Sequence, residues 1–359
     1  MTYQERILLF MEKKILLNYT IEELREELKK IGEPSYRANQ IWKGIYQTGY
    51  SDFTEMTALP KNLIDKLNKT FIIFPISLEE HLVSKDGAEK FLWLLNDSNY
   101  VETVVIKGSK RVTICLSTQA GCKFKCPFCS SGKLGLKRNL SHAEIISQFL
   151  LAQKLSATHI SNVVFMGMGE PLDNYDNLIK AIQILNNPEA VNIGARKITV
   201  STCGIAPNII KLSGIGIQIE LSISLHSPDN SVRNELVPVN KKFSLERLID
   251  ACEQFFEKTG RVITFEYTLI KDKNDSIKDA EKLAEIAKKT KGKINLIPGN
   301  NTANMKNIIF CNLKEVESFK NILLRMGVTV TTRSSKGYDI LAACGQLAGE
   351  RSKKPDESL

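Results

Sequence analysis

The strongest constraint in this chain is an alternation that starts near Arg111 and runs to Thr332. Short apolar runs rich in Val and Ile (112–116, 162–166, 197–201, 217–224, 262–269, 293–297 and 328–332) predict strands. Between most of them lie stretches with helical spacing, at 141–155, 174–185, 244–257, 276–289 and 313–325. Strand, helix, strand repeated in this way is a series of βα units, and hence a parallel sheet covered by its own crossovers. The glycine fingerprint of a dinucleotide-binding sheet is absent. Instead 122–129, 167–170, Ser201 and 224–226 all fall at or just past strand C-termini, and such groups converge only if the sheet curls. The expected fold class is α/β, a full or partial βα barrel.

Upstream, residues 21–69 predict short amphipathic helices. Thr20 followed by Glu23 is a capping-box start, and Leu24, Leu28 and Ile31 share one face. Pro34-Ser35-Tyr36-Arg37 ends that helix and opens another with Ile41, Ile45 and Tyr46 inside. Lys29, Lys30, Arg37, Lys43, Lys61, Lys66 and Lys69 interleave with Tyr36, Trp42 and Tyr46. That mixture suits a phosphate backbone and unstacked bases, and equally a solvated face over an ordinary core. From 71 to 106 the chain turns β-rich: 91–95 and 100–106 flank the turn signal Asn96-Asp97-Ser98-Asn99, predicting a hairpin. The expected division is a helical accessory domain contacting RNA (1–70), a β-hairpin extension (71–110), the barrel core (111–332) and a C-terminal tail (333–359).

Charge narrows the partners. Forty-nine Lys and Arg against 40 Asp and Glu give a net charge of +9, compatible with a polyanion such as RNA though not diagnostic of one. No run of 18 apolar residues appears and the N-terminal residues lack the order of an export signal, so a cytoplasmic protein without a membrane span is expected. In that compartment eight cysteines suggest ligands and reactive thiols, not disulfide staples.

Three of them stand as Cys122-Lys-Phe-Lys-Cys126-Pro-Phe-Cys129, on the loop after the first strand of the series. Thiolates at these spacings can hold three irons of a cubane cluster and leave the fourth open for a small molecule. A zinc knuckle would need a fourth ligand close by, and the nearest histidine, His142, falls at a helix start.

This Cys-x3-Cys-x2-Cys loop resembles the radical S-adenosylmethionine (SAM) superfamily. Longer motifs narrow the resemblance to the RlmN family of adenosine C2 methyltransferases: Cys115-Leu-Ser-Thr-Gln-Ala-Gly-Cys122, 131–140, Phe165-Met-Gly-Met-Gly-Glu-Pro171, Ile223-Ser-Leu-His226, Leu236-Val-Pro-Val-Asn240 and Ala342-Ala-Cys-Gly-Gln-Leu-Ala-Gly349. The similarity extends from about residue 34 to 349. It implies a partial barrel of radical SAM type, with a [4Fe–4S] cluster on Cys122, Cys126 and Cys129 and Phe128 over its edge. Two molecules of SAM per turnover would bind at Gly169, Glu170, Ser201, Ser224, Leu225, His226 and Asn300.

The resemblance also implies the reaction. Adenine C2 is electron-poor and has no lone pair for a sulfonium methyl, so a radical route is needed. Cys344 would take a methyl from one SAM. S-methyl Cys344, activated by a 5′-deoxyadenosyl radical from a second, would add to C2. Glu102 would accept the C2 proton, and Cys115 would attack Cys344, leaving a disulfide. The implied substrates are adenosines of 23S rRNA, at the peptidyl transferase centre, and of tRNA, 3′ of the anticodon, each unstacked to reach the site. A small electron donor such as a flavodoxin or ferredoxin would reduce the cluster, and a monomer is expected.

Two rivals remain open. A Cfr-type C8 methyltransferase would share the cluster and both cysteines, although Glu170-Pro171 and Gly132-Lys133 favour the C2 branch. A non-methylating iron–sulfur RNA-binding protein would leave Cys344 dispensable. Gly299, Asn301-Thr302, Tyr338 and Leu341 depart from the family pattern, and Cys203, Cys252 and Cys311 read as structural.

Overall fold

A computed structural model describes residues 13–300, 308–333 and 335–349; Asn301-Thr302 and the polar segment after Glu350 lie outside the described residues. The N-terminal part is helical: α1 (Ile21–Lys30), α2 (Tyr36–Lys43) and α3 (Lys61–Thr70). The predicted capping box is present, with Thr20 Oγ1 accepting from Glu23 N at 3.1 Å and Glu23 Oε2 accepting from Thr20 N at 2.8 Å, a contribution of about 1 kcal/mol. Leu24, Leu28, Ile41, Leu63 and Leu67 are fully buried.

One ten-stranded sheet follows. β1 (Ile76–Val83), β2 (Glu89–Leu95) and β3 (Tyr100–Lys107) form an antiparallel meander. β3 pairs antiparallel with β4 (Val112–Cys115), which begins a parallel run through β5 (Asn162–Phe165), β6 (Ile198–Thr202), β7 (Glu220–Ser224), β8 (Thr264–Thr268), β9 (Lys293–Ile297) and β10 (Val330–Thr332). Crossovers are α4 (His142–Leu155), α5 (Tyr175–Asn186), α6 (Ala206–Leu212), α7 (Asn230–Leu236), α8 (Leu245–Thr259), α9 (Ile277–Lys289) and α10 (Leu313–Arg325). The terminal strands β1 and β10 are not paired with each other, so this is a partial barrel carrying a helical part and a β extension.

Two details differ from the sequence expectation. The extension is a three-stranded meander, not a hairpin, because β1 carries Glu79, Glu80 and His81 and a register shift between Leu78 and Glu80 breaks its alternation. α6 and α7 span only seven residues each, too short for periodicity to reveal.

The parallel strands alternate sharply. Side chains facing the crossover helices are apolar and buried, such as Ile114, Val163, Val200, Ile223, Phe265 and Leu296. Many of those facing inward are polar: Thr113, Thr199, Ser222, Thr264, Glu266 and Asn295, with Val164 and Ile297 among them, line one interior cavity of about 860 Å³. Closed βα barrels fill this space with branched apolar side chains. Here the lumen is hollow, with a volume in the range of ligand sites.

Candidate active site

β4 ends at Cys115, and the short pairing of Gln119–Ala120 with Arg138–Asn139 closes the loop holding Cys122, Cys126 and Cys129. Gly121 at its neck has φ +74°, and a Cβ there would stand 1.8 Å from the Gly135 carbonyl oxygen, so only glycine fits. The three thiols line one wall of a cavity. Among the described residues no three or more His, Cys, Asp or Glu side chains are grouped so as to hold a metal ion. Burial lifts Cys122 to about 12 and raises Cys126 and Cys129, and for Cys126 the other two thiols add to the effect. Three half-buried thiols on one cavity wall are a donor set suited to a multi-iron cationic core, which would hold them as thiolates.

The facing wall comes from the end of β5. Gly169, at φ +94°, turns the chain so that Glu170 enters the cavity. Glu170 is buried, with Oε1 accepting from Leu172 N at 3.0 Å and Oε2 from Cys203 N at 2.7 Å. Burial raises its pKa, against the pull of those amides. Among the described residues no Lys or Arg pairs with it, so the carboxylate suits an incoming ammonium group.

Ser201, Ser224 and His226, from the ends of β6 and β7, also line this cavity. Leu225 is fully buried, and its backbone N donates to Glu266 O at 3.1 Å. His226 has φ +54°; its Nδ1 accepts from Thr268 N at 3.1 Å, which places the ring proton on Nε2, and its ring meets Phe128 edge-on at 4.8 Å. Burial, then the Arg233 charge, depresses it to about 3, so the imidazole is neutral. Arg233, which sequence reading passed over, is fully buried and ties strand ends together through Leu225 O (3.1 Å), Cys203 O (2.6 Å) and Asn240 Oδ1 (2.8 Å).

Cys344 lines both this cavity and the hollow lumen. Asn300 holds it from behind, its Nδ2 donating to Cys344 O at 3.2 Å. Cys115 lies only on the lumen side, and burial, then Cys344, lifts it to about 12 while Arg333 opposes the rise. Arg333 stands at the junction with its Nη1 3.6 Å from Met166 Sδ; sequence reading missed it because a lone arginine after a strand carries no motif. Glu102 is not among the side chains lining either chamber. Its Oε2 accepts from Ala348 N at 2.7 Å and Gly349 N at 2.9 Å, and its Oε1 pairs with Lys90 Nζ at 3.0 Å.

The departures find local accounts. Phe310 packs its ring directly on Gly299, where a Cβ would come within 1.9 Å, so the aromatic surface above the site comes from the far side of that segment. Cys252 and Cys311 belong to the buried core, while Tyr338 and Leu341 are exposed. In the helical part Trp42 and Tyr46 are 6% and 4% exposed and pack on each other at 4.4 Å, so of the three aromatic residues singled out in the sequence Tyr36 alone, at 55%, is exposed. Lys29, Lys30 and Lys66 pair with Glu26, Glu27 and Glu33.

A family model described as the Radical SAM superfamily matches residues 116–287, and one described as the ribosomal RNA large subunit methyltransferase N-terminal domain matches 15–73. The probable dual-specificity RNA methyltransferase RlmN of Clostridium novyi is 44% identical over 93% of this chain and 97% of its own length. That of Thermotoga petrophila is 45% identical over 95% and 99%. This chain belongs to the RlmN family. A crystal structure of a radical SAM methyltransferase from Sphaerobacter thermophilus superimposes with a TM-score of 0.90 at 38% identity, covering 94% of this chain and 99% of that one. As an RlmN family member the chain is a radical SAM methyltransferase, with a [4Fe–4S] cluster and SAM as cofactors. Among the described residues no helix is long and apolar enough to cross a membrane.

Proposed function

We propose that this RlmN family protein methylates C2 of adenosine in 23S rRNA and in tRNA, with Cys344 as the carrier of the methyl group. The observation that carries this reading is the position of Cys344 at the junction of two chambers, one lined by the three cluster thiols and Glu170, the other by Cys115. When bound, the cluster and SAM supply a carbon-centred radical, the chemistry an electron-poor ring carbon requires.

The chain's own residues supply the rest. Cys122, Cys126 and Cys129 hold the cluster. Glu170 receives the ammonium group of SAM in a buried, water-poor wall where charge pairing is strong. Ser201, Ser224, neutral His226 and the backbone at Leu225 bound its nucleoside, with His226 Nε2–H as donor. Cys344, reachable from both sides, accepts the methyl from one chamber and presents it to the adenine held in the other. Glu102, which holds the amides of Ala348 and Gly349, takes the C2 proton in this reading once the tail segment releases it. Cys115 then gives up its proton and attacks the Cys344 sulfur: the sulfur–sulfur bond forms as the bond from Cys344 sulfur to the methylene carbon breaks, that carbon takes up a proton and leaves as the methyl group of the base, and Arg333 eases the charge on the attacking sulfur. Burial keeps Cys115 protonated and inert until then.

The same reading gives the four parts 1–70, 71–110, 111–332 and 333–359 the accessory, extension, catalytic and methyl-carrying roles. It places the protein in the cytoplasm as a monomer reduced by a flavodoxin or ferredoxin. The test is anaerobic reconstitution followed by nucleoside analysis of treated 23S rRNA and tRNA. We expect 2-methyladenosine in both, two SAM consumed per product and no product from Cys344→Ala. Finding 8-methyladenosine alone would refute the C2 assignment, and an active Cys344→Ala would refute the carrier.

A further inference from the structure

The segment bearing Cys344 is hung from the antiparallel meander at two places. At its start, the β1–β2 turn grips it: Ser84 Oγ donates to Asp339 Oδ1 at 2.5 Å, Lys85 N donates to Asp339 Oδ2 at 3.1 Å, and Gly337 N donates to Asp86 Oδ2 at 2.9 Å. At its end stands Glu102, in the middle of β3, accepting from the successive amides of Ala348 and Gly349. Between these points the segment touches the cluster loop, where Ser130 N donates to Gly345 O at 2.8 Å and Ser131 Oγ donates to Leu347 O at 2.7 Å.

The second anchor is chemically unusual. Glu102 and Lys90 are both buried, at 1% and 6% exposure, on neighbouring strands of the extension. A buried ion pair is expensive to desolvate and is poor evidence of stability in itself; its best-attested use is to enforce one register over others. Glu102 spends its remaining capacity on two consecutive backbone amides of a segment 246 positions away. An apolar pair would fill the same space without specifying which amides dock there. The cluster loop and Asn300 confine the segment's middle, and the extension decides where its ends stand.

We propose that Glu102, charge-paired with Lys90, is a positioning residue: with Asp86 at the β1–β2 turn it suspends the Cys344 segment from the meander and sets where the thiol stands between the two chambers. The consequence for catalysis rests on the methyl-carrier reading of Cys344, since misplacing a reacting group by about 1 Å can cost roughly a hundredfold in rate. The suspension itself is independent of that reading.

The experiment uses the full-length, cluster-loaded enzyme with Lys90→Met, Glu102→Gln and, at the exposed turn, Asp86→Asn. Amide hydrogen exchange is followed across 337–349, beside single-turnover methyl transfer to RNA and the KM for RNA. Exchange at 345–349 is expected to rise at least about tenfold in Lys90→Met and Glu102→Gln, the shift for losing one charged hydrogen bond. Transfer slows by a similar factor in Lys90→Met while KM holds, and by more in Glu102→Gln, which also loses the proton acceptor. Asp86→Asn raises exchange at 337–342, and as a surface change it tests the idea even if the buried variants fold poorly. Unchanged exchange in Lys90→Met and Asp86→Asn, with turnover lost only in Glu102→Gln, would overturn the proposal and leave Glu102 acting on substrate alone. Faster exchange in all three, alongside an active Cys344→Ala, would uphold the suspension and dismiss the carrier reading.

Discussion

Gly169→Ala probes the hinge that turns Glu170 into the SAM cavity. An added Cβ would stand 2.4 Å from Gln119 Cβ, 2.7 Å from its Cγ and 2.9 Å from its backbone N, at a φ of +94°. The left-handed backbone costs about 1–2 kcal/mol for a residue with a Cβ, and forcing atoms into a packed site costs about 1–3 kcal/mol more. Gln119 cannot simply withdraw. Its Nε2 donates to Asn139 Oδ1 at 2.8 Å and Asp173 Oδ2 at 2.9 Å, and its Oε1 accepts from Glu170 N at 2.8 Å. If it did move, the buried Glu170 amide would lose its partner at about 1–3 kcal/mol, replacing the packing strain with a similar cost. Either route predicts a loss of about 3 kcal/mol, read as a lower urea midpoint at unchanged slope. SAM affinity, measured by equilibrium dialysis, should fall at least tenfold with it, since Glu170 rides on this turn. A loss below about 1 kcal/mol with SAM affinity intact would refute the reasoning.

Further outcomes follow from particular environments. His226 is neutral in the folded chain at about 3 against an ordinary 6.5, so its contribution is full above 6.5 and is lost as the pH falls toward 3. Between pH 7.5 and 5 that amounts to about 2 kcal/mol, and His226→Asn should show a correspondingly smaller decline in urea midpoint over the same span. Trp42→Ala should cost about 3–5 kcal/mol of stability as a core deletion, whereas Tyr36→Ala should leave stability unchanged and weaken RNA binding in a filter assay; the reverse pattern would put Trp42 on the RNA face. Cys115, lifted to about 12 by burial, should alkylate with iodoacetamide at pH 8 on the order of a hundredfold more slowly than exposed Cys344. Comparable labelling of the two would place Cys115 at the surface.

Much of the molecule was legible along the chain because its signals are local. The βα series, the Thr20–Glu23 box and the Cys122, Cys126, Cys129 loop each depend on residues within one or two turns of one another. The hollow lumen was not read from the sequence, although the period-two polarity of Thr199 and Ser201 or Ser222 and Ser224 is a local signal for a polar inner face. β1 escaped notice because its charges and bulge break that same period. Trp42 and Tyr46 were ambiguous because helical spacing says that residues share a face, not whether that face meets water or other helices.

The direction and pairing of buried polar groups emerge only once the chain is folded. Spacing and motif along the chain were enough to establish a cluster loop and a cysteine-bearing tail. That Arg233 clasps two strand ends, that Arg333 stands where two chambers meet and that Glu102 grips amides 246 and 247 positions away are matters of which distant groups share a low-dielectric space. A buried charge must find its partners wherever the fold brings them, and no local pattern records that choice.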